Sequence, residues 1–108
     1  YQIVEKLKLY FESIGFEKNH SNMIASFFIR REYNKDEYFV KEGKKSLELG
    51  FLEVGQFQYY SVTNEGEERT TYVSLENTFV ASLLSYLHEV PSRENIKAIT
   101  NAVLWVIE

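Results

Sequence analysis

Few residues in this sequence could support metal or catalytic chemistry. Cysteine is absent, and the two histidines are His20 and His88. A metal-dependent enzyme commonly needs two or three histidines and a glutamate that converge on one ion, and these two histidines form no His-x-His pair. The sequence also has no recognisable nucleophile–base arrangement and no phosphate-binding loop. It therefore predicts a protein that is not an enzyme and that holds no metal.

Ligand binding is the second kind of chemistry to consider, and it involves Arg69 and four tyrosines. Arg69 either faces a pocket, where it adds a cation, or is exposed as the cross-strand partner of a glutamate, which is the more common arrangement. The tyrosines either stack on a planar ligand or fill a core, and core packing is the more common role. They are Tyr59, Tyr60, Tyr72 and Tyr86. Both alternatives stay open, so Arg69 and Tyr72 are kept as candidate pocket residues.

Composition and charge indicate one acidic, aromatic-rich domain. The chain has 108 residues, of which 44% are hydrophobic and 16% aromatic, and its formal net charge is -4 at pH 7. An acidic domain lacks the basic field that releases counterions from phosphates, so we expect no direct DNA or RNA binding by this segment. The sequence contains no run of about 20 apolar residues and no signal peptide. We therefore expect no membrane contact and a cytoplasmic location.

Helical spacing marks three segments. The first is N-terminal and is followed by Gly15 as a C-cap; its periodic residues are Ile3, Leu7, Tyr10 and Ile14. A second, shorter helix is predicted to begin with Ser21 as its N-cap. The third is an apolar interior helix over residues 79–87, which Pro91 ends. One side of it would be formed by Phe79, Leu83, Leu84 and Leu87.

Segments rich in aromatic and β-branched residues predict strands in the rest of the chain. These segments are 27–33, 37–41, 47–54, 56–63, 68–75, 94–100 and 102–107. Polar residues 34–36 predict a turn, and Asn64-Glu65-Gly66 predicts a hairpin. Gly43, Gly55 and Gly66 fall where successive strands must turn. An N-terminal helix, about eight short strands and an interior helix fit an antiparallel β roll better than a parallel α/β fold.

Several segments together have the pattern of a known domain family. They are Phe28 to Gly43, Leu52-Glu53-Val54-Gly55, the hairpin at Glu65-Gly66, Leu75 to Phe79, and Pro91 to Ala98. The pattern resembles the cyclic nucleotide-binding domains of Crp/Fnr-type transcription regulators. It covers nearly the whole chain and rests on corner glycines and apolar spacing. The resemblance implies one mainly β domain over residues 1–108: a double-stranded β-helix (jelly roll) with an N-terminal helix and a short interior helix.

The resemblance also implies where a ligand would bind. In that family the backbone amides of a Gly-Glu pair meet the ligand, the Glu holds the ribose hydroxyl, and an Arg-Ser or Arg-Thr pair holds the cyclic phosphate. The Gly-Glu pair falls on Ala81-Ser82 here, and the phosphate-binding pair falls on Ser92-Arg93, in reversed order. Ala81 adds a Cβ where the ligand approaches most closely, and Ser82 is too short to replace the carboxylate. The family's glycine before the interior helix is Asn77, which also adopts φ > 0.

The direction of the Arg93 side chain decides whether an anion site survives. A shift of one residue along a strand sends a side chain to the opposite face, so Arg93 points out of the barrel unless a bulge after Pro91 re-aims it. The candidate pocket residues are Val80, Ala81, Ser82, Ser92, Arg93, Arg69 and Tyr72. Helix amides stay available to some other small anionic effector. Binding of cAMP is not expected, and no cofactor is predicted.

The function that the resemblance implies is effector sensing in the N-terminal domain of a Crp/Fnr-like transcription regulator. In such proteins a long helix after the roll forms a homodimer, and a helix-turn-helix module after it binds DNA. We expect both to lie after residue 108, because the chain lacks an initiating Met and ends inside the apolar run 102–107. The alternative is a non-sensing scaffold or protein-interaction module on the same roll. A cupin-type enzyme on this roll would need metal ligands that the sequence lacks.

Overall fold

The computed structural model describes residues 2–108, with side chains from residue 5 onward. The helices in this range are α1 (Gln2–Ser13), α2 (Lys18–Ser26) and α3 (Leu83–His88). The strands are β1 (Ile29–Tyr33), β2 (Tyr38–Val40), β3 (Leu49–Val54), β4 (Phe57–Val62), β5 (Glu68–Val73), β6 (Phe79–Val80), β7 (Asn95–Ala98) and β8 (Ala102–Ile107). None of these helices is long and apolar enough to cross a bilayer.

The strands form two four-stranded antiparallel sheets that enclose one core. Their orders are β1-β8-β3-β6 and β2-β7-β4-β5. β1 pairs with β8, from Ile29 opposite Val106 to Tyr33 opposite Ala102, so the first and last strands lie side by side. This arrangement is the mainly β jelly roll, with an N-terminal helix and a short interior helix, that the sequence predicts. That prediction is confirmed.

Strand β3 shows how the alternation of side chains builds two apolar clusters. Leu52 is fully buried between the sheets, in one cluster with Phe57 and Leu104. Phe51, its neighbour, faces the opposite side of the sheet and packs in a second cluster with Leu7 of α1. Burial of each such side chain contributes about 1.5–3 kcal/mol. The N-terminal helices therefore cover the outer face of this sheet.

The predicted corners have the backbone that a tight turn requires. Gly43, Gly55 and Gly66 have φ of 87°, 97° and 84°, and the hairpin between β4 and β5 closes at Gly66 as predicted. Asp36, in the predicted turn before β2, has φ 75°. Asn77 has φ 65°, in agreement with the expectation that an asparagine adopts φ > 0 at this position.

Two helix predictions need correction. The interior helix begins at Leu83 and not at Phe79, because Phe79 and Val80 form β6 and pair with β3. The Phe79 ring packs 5.1 Å from the ring of Phe51, a contact that only the folded sheet provides. The apolar side predicted for this helix is not its buried side, since Leu83, Leu84 and Leu87 are 62–67% exposed.

The second correction concerns α2. This helix begins at Lys18 with Glu17 in the N-cap position. Ser21, the predicted N-cap, is a buried residue inside the helix whose N–H donates to the carbonyl oxygen of Glu17 at 2.9 Å. Ser21 and Ala25 are four residues apart and both buried, and Ala25 belongs to the second cluster, so Ser21 lies on the packed side of α2 and not at its start.

Candidate functional site

A cavity of about 680 Å³ opens between the β4–β5 hairpin and the segment from Ala81 to Glu94. This volume lies in the range of small-molecule sites, about 300–1,000 Å³. Tyr59 of β4 and Thr71 of β5 form one side. The start of α3 and the connection from α3 to β7 form the other. The candidate site is thus built by the β4–β5 hairpin and by the segment that follows it after β6.

The structure brings four of the seven predicted pocket residues together at this cavity. Ala81, Ser82, Ser92 and Arg93 all line it. That these residues bind a ligand stays a prediction.

The other three predicted residues lie outside the cavity wall. Val80 is fully buried in the core between the sheets. Arg69 is exposed, which agrees with the interpretation that it does not face a pocket. Its partner across the sheet is Ser61 and not the glutamate that this interpretation predicts. Tyr72 is half exposed and packs edge-on against Tyr59, with ring centroids 5.3 Å apart.

The tyrosines divide between core and cavity. Tyr59 and Tyr60 are buried, and the Tyr60 hydroxyl lies 2.6 Å from the hydroxyl of Tyr38. Tyr86, in α3, is partly buried and does not belong to the cavity wall. Tyr60 belongs to neither apolar cluster, whereas Tyr59 serves both the core and the cavity.

A pair of buried serines forms the floor of the cavity. The hydroxyl oxygens of Ser82 and Ser92 lie 2.9 Å apart, and each residue is 4% exposed. Ser92 donates its hydroxyl proton to the carbonyl oxygen of Glu94 at 2.8 Å and accepts the N–H of Glu94 at 3.2 Å. Since a serine hydroxyl has one proton, Ser82 is the donor to Ser92. Ser82 stands in the N-cap position of α3, but its hydroxyl makes no cap hydrogen bond.

Backbone hydrogen bonds hold Ser92 in this position. The N–H of Gly43 donates to the carbonyl oxygen of Ser92, and the N–H of Ser92 donates to the carbonyl oxygen of Lys44, both at 2.8 Å. Because Gly43 is one of the roll's corners, the corner and the cavity floor are one connected unit. Ser85 adds to it by accepting the N–H of Ser46 at 2.6 Å.

The backbone amide of Ala81 already has an acceptor. Its N–H donates to the hydroxyl oxygen of Tyr59 at 3.1 Å, and both residues are buried. Burial raises the pKa of Tyr59 to about 12, so the hydroxyl keeps its proton at neutral pH. Tyr59 follows Phe57 by two residues on β4, so strand alternation predicts that both face inward. Its contact with Ala81 joins distant parts of the chain, and the sequence analysis did not identify it.

This contact makes a testable contribution to stability. We expect Tyr59→Phe to lower the free energy of unfolding by about 1–3 kcal/mol, because a buried N–H loses its acceptor. The matched control is Tyr72→Phe, which removes a hydroxyl that bonds to no residue in the described part of the chain and is expected to change stability by less than about 0.5 kcal/mol. Urea denaturation followed by circular dichroism measures both. Equal losses in the two variants would contradict the role given to Tyr59.

Two charged residues complete the cavity. Arg93 lines it, and also borders a shallower neighbouring cavity of about 610 Å³ that Glu42 and Gly43 help to form. Glu94 is half buried in the wall, and this burial raises the pKa of its carboxyl group. Arg93 is an exposed residue that borders both cavities, and the direction of its guanidinium stays a prediction.

Metal binding has no cluster to support it in residues 2–108. No group of three His, Cys, Asp or Glu side chains in that range could hold an ion. His88 is the last residue of α3 and lies at the cavity, and His20 is an exposed residue of α2.

Comparisons with known proteins connect this architecture to a family. A sequence model of the cyclic nucleotide-binding domain matches residues 30–108. No curated protein sequence is significantly similar to the chain.

Solved structures share the fold at low sequence identity. The regulatory domain of Toxoplasma gondii PKA, co-crystallised with cAMP, gives a TM-score of 0.84 at 15% identity, over 98% of this chain and 41% of that one. The catabolite activator protein of Thermus thermophilus gives 0.76 at 19%, over 86% and 43%. The sensor domain of the transcriptional regulator DNR from Pseudomonas aeruginosa gives 0.80 at 18%, over 97% and 71%.

The chain spans less than half the length of the first two of these structures. Their identities establish a common fold. The family follows from the sequence match over residues 30–108, which is most of the chain. This protein belongs to the cyclic nucleotide-binding domain family.

Proposed function

We propose that this chain is the effector-sensing domain of a Crp/Fnr-like transcription regulator and that it does not bind cAMP. The fold shared with the catabolite activator protein and with the DNR sensor domain supports the regulator class. The corner glycines Gly43, Gly55 and Gly66, which match the pattern of that family, support it further. DNA binding and homodimer formation would then belong to a part of the regulator outside these residues.

One observation carries the proposal about cAMP, namely the closed contact between Ser82 and Ser92. These residues stand where the family has a glutamate for the ribose and an arginine for the phosphate, and their hydroxyls bond to each other at 2.9 Å. A charge-assisted hydrogen bond contributes about 1.5–3 kcal/mol. The loss of two such bonds weakens binding by a factor of about 100 or more. The Ala81 N–H does not compensate for this loss, because it already donates to the Tyr59 hydroxyl.

The signal would pass through α3. This helix lines the cavity at Leu83, Leu84 and His88 and also presents an apolar surface to solvent. An occupant of the cavity that prefers one position of α3 shifts the population toward it, and with it the surface that α3 offers to the rest of the regulator.

The test of the cAMP proposal is a titration of the protein with cAMP and cGMP. We expect no movement of the amide resonances of residues 80–82 and 92–94 at nucleotide concentrations up to about 1 mM, because both charged anchors are missing. Micromolar binding with shifts at these amides would overturn the proposal. The regulator class has a separate test: the parent sequence should contain a helix-turn-helix after residue 108, and its absence would exclude this class.

A non-sensing scaffold or interaction module is the second candidate. The observation that favours it is the exposed apolar side of α3, where Leu83, Leu84 and Leu87 face solvent. A scaffold keeps the roll and leaves the cavity empty. Any small molecule that moves the amides of 80–82 and 92–94 would therefore favour sensing over this alternative.

A further inference from the structure

The two charges of the cavity, on Arg93 and Glu94, are both unused. Both residues line the cavity; Arg93 is exposed and Glu94 is half buried. Within residues 5–108, neither side chain makes a hydrogen bond or an ion pair, and they do not pair with each other. A guanidinium and a carboxylate in one cavity wall, both without partners, are free to bind a ligand.

The carboxylate of Glu94 narrows the class of ligand. A phosphate group placed near Arg93 also lies near Glu94, and two anions in a partly buried site repel each other. Burial already raises the pKa of Glu94, because it removes water that would stabilise the charged carboxylate. A ligand that brings its own cation removes this penalty, whereas a purely anionic ligand increases it.

The rest of the wall adds apolar surface and several hydroxyl groups, among them that of Tyr59. Leu83, Leu84, Val90 and Pro91 line the cavity. The Tyr59 hydroxyl accepts the N–H of Ala81, and its own proton has no acceptor among the residues that the structure describes. It can therefore donate to a carboxylate oxygen of a ligand.

We propose that the cavity binds a small zwitterion with an apolar body, of which an apolar amino acid is the simplest form. The ligand's carboxylate pairs with Arg93 and with the Tyr59 hydroxyl, its ammonium group pairs with Glu94, and its apolar body contacts Leu83, Leu84 and Val90. This inference rests on the proposed sensing function of the same site and names the chemical class of its effector.

Three compounds with one phenyl body test the proposal. L-phenylalanine has both charges, 3-phenylpropionate lacks the amine, and 2-phenylethylamine lacks the carboxylate. Amide resonances of residues 80–82 and 92–94 are followed at pH 7.5 during titration with each compound and with inorganic phosphate. We expect L-phenylalanine to bind about tenfold more tightly than either single-charge analogue, and phosphate to produce no shift. Equal binding of 3-phenylpropionate, or no binding of L-phenylalanine, would overturn the proposal.

Charge variants identify the contacts. Arg93→Ala is expected to weaken L-phenylalanine and 3-phenylpropionate about tenfold, and Glu94→Gln to weaken L-phenylalanine and 2-phenylethylamine by a similar factor. Arg69→Ala and Glu65→Gln remove the same charges from exposed positions outside the cavity, and are expected to leave binding unchanged. A loss in these controls as large as in the cavity variants contradicts the site.

The cAMP titration separates this proposal from the broader one. If cAMP binds, the proposed loss of cyclic-nucleotide binding fails. If neither cAMP nor L-phenylalanine binds, the proposal that the chain does not bind cAMP is kept, and only the zwitterion site is rejected.

Discussion

Cyclic AMP binding is expected to appear when Ala81→Gly, Ser82→Glu, Ser92→Arg and Arg93→Ser are combined. The Ser82 and Ser92 hydroxyls already face each other at 2.9 Å on the cavity floor, so the new carboxylate and guanidinium would start from adjacent positions. Ala81→Gly removes the Cβ at the closest approach, and Arg93→Ser restores the family order. With two charged anchors regained, we expect affinity at least about 100-fold higher than that of the natural chain. Isothermal titration calorimetry measures it.

Two partial variants serve as controls for this exchange. Ser82→Glu alone places a carboxylate without a partner at a site that is 4% exposed. It is expected to lower stability by about 3–5 kcal/mol without producing cAMP binding. Ala81→Gly with Ser82→Glu, in which Ser92 and Arg93 keep their order, tests whether the reversed order matters. If the variant with all four substitutions folds but does not bind cAMP, other differences from the family abolish binding.

Gly55→Ala is expected to lower the free energy of unfolding by about 3 kcal/mol or more. Gly55 has φ +97°, and a Cβ on it would lie 2.5 Å from the carbonyl oxygen of Asn101 and 2.7 Å from the Cβ of Ala102. Backbone atoms of the β7–β8 turn cannot yield as a flexible side chain can. The corner between β3 and β4 packs directly on that turn, so the substitution strains two connections at once.

Gly66→Ala is the matched control for this corner. Gly66 has φ +84°, but a Cβ on it meets nothing within 4 Å. This variant therefore has the conformational cost alone, about 1–2 kcal/mol. Urea denaturation curves of the two variants give the difference. Equal destabilisation would mean that close packing at Gly55 contributes nothing and that its backbone angle explains the whole effect.

Local patterns predicted the strands well and the interior helix only in part. The corner glycines and the alternating runs identify the strands because a strand's turn chemistry and its side-chain alternation are local properties. Phe79 fits two patterns, since it lies four residues before Leu83 and also begins an apolar pair. Its pairing with Phe51 on β3 decides for the strand. Phe51 is distant in the sequence from Phe79, so a pattern of neighbouring residues does not predict this pairing.

The candidate site divides in the same way. The resemblance placed Ala81, Ser82, Ser92 and Arg93 in one pocket, and the folded chain does bring them to one cavity. Their hydrogen bonds were not predictable. Ser82 bonds to Ser92, and the Ala81 N–H bonds to Tyr59, because the roll folds these segments onto one another. Glu94 went unnoticed because a single glutamate in a sequence with sixteen acidic residues carries no local signal.

By itself, the sequence determined the roll, its corners and the absence of the family's charged residues at positions 82 and 92. These properties depend on residue type and on neighbours along the chain. Only the tertiary structure decided that Ser82 bonds to Ser92 and the Ala81 amide to Tyr59, and that Arg93 and Glu94 border one cavity with no side-chain partner among residues 5–108. Whether a polar group is free for a ligand depends on which distant groups come within about 3 Å of it, and folding alone sets those distances.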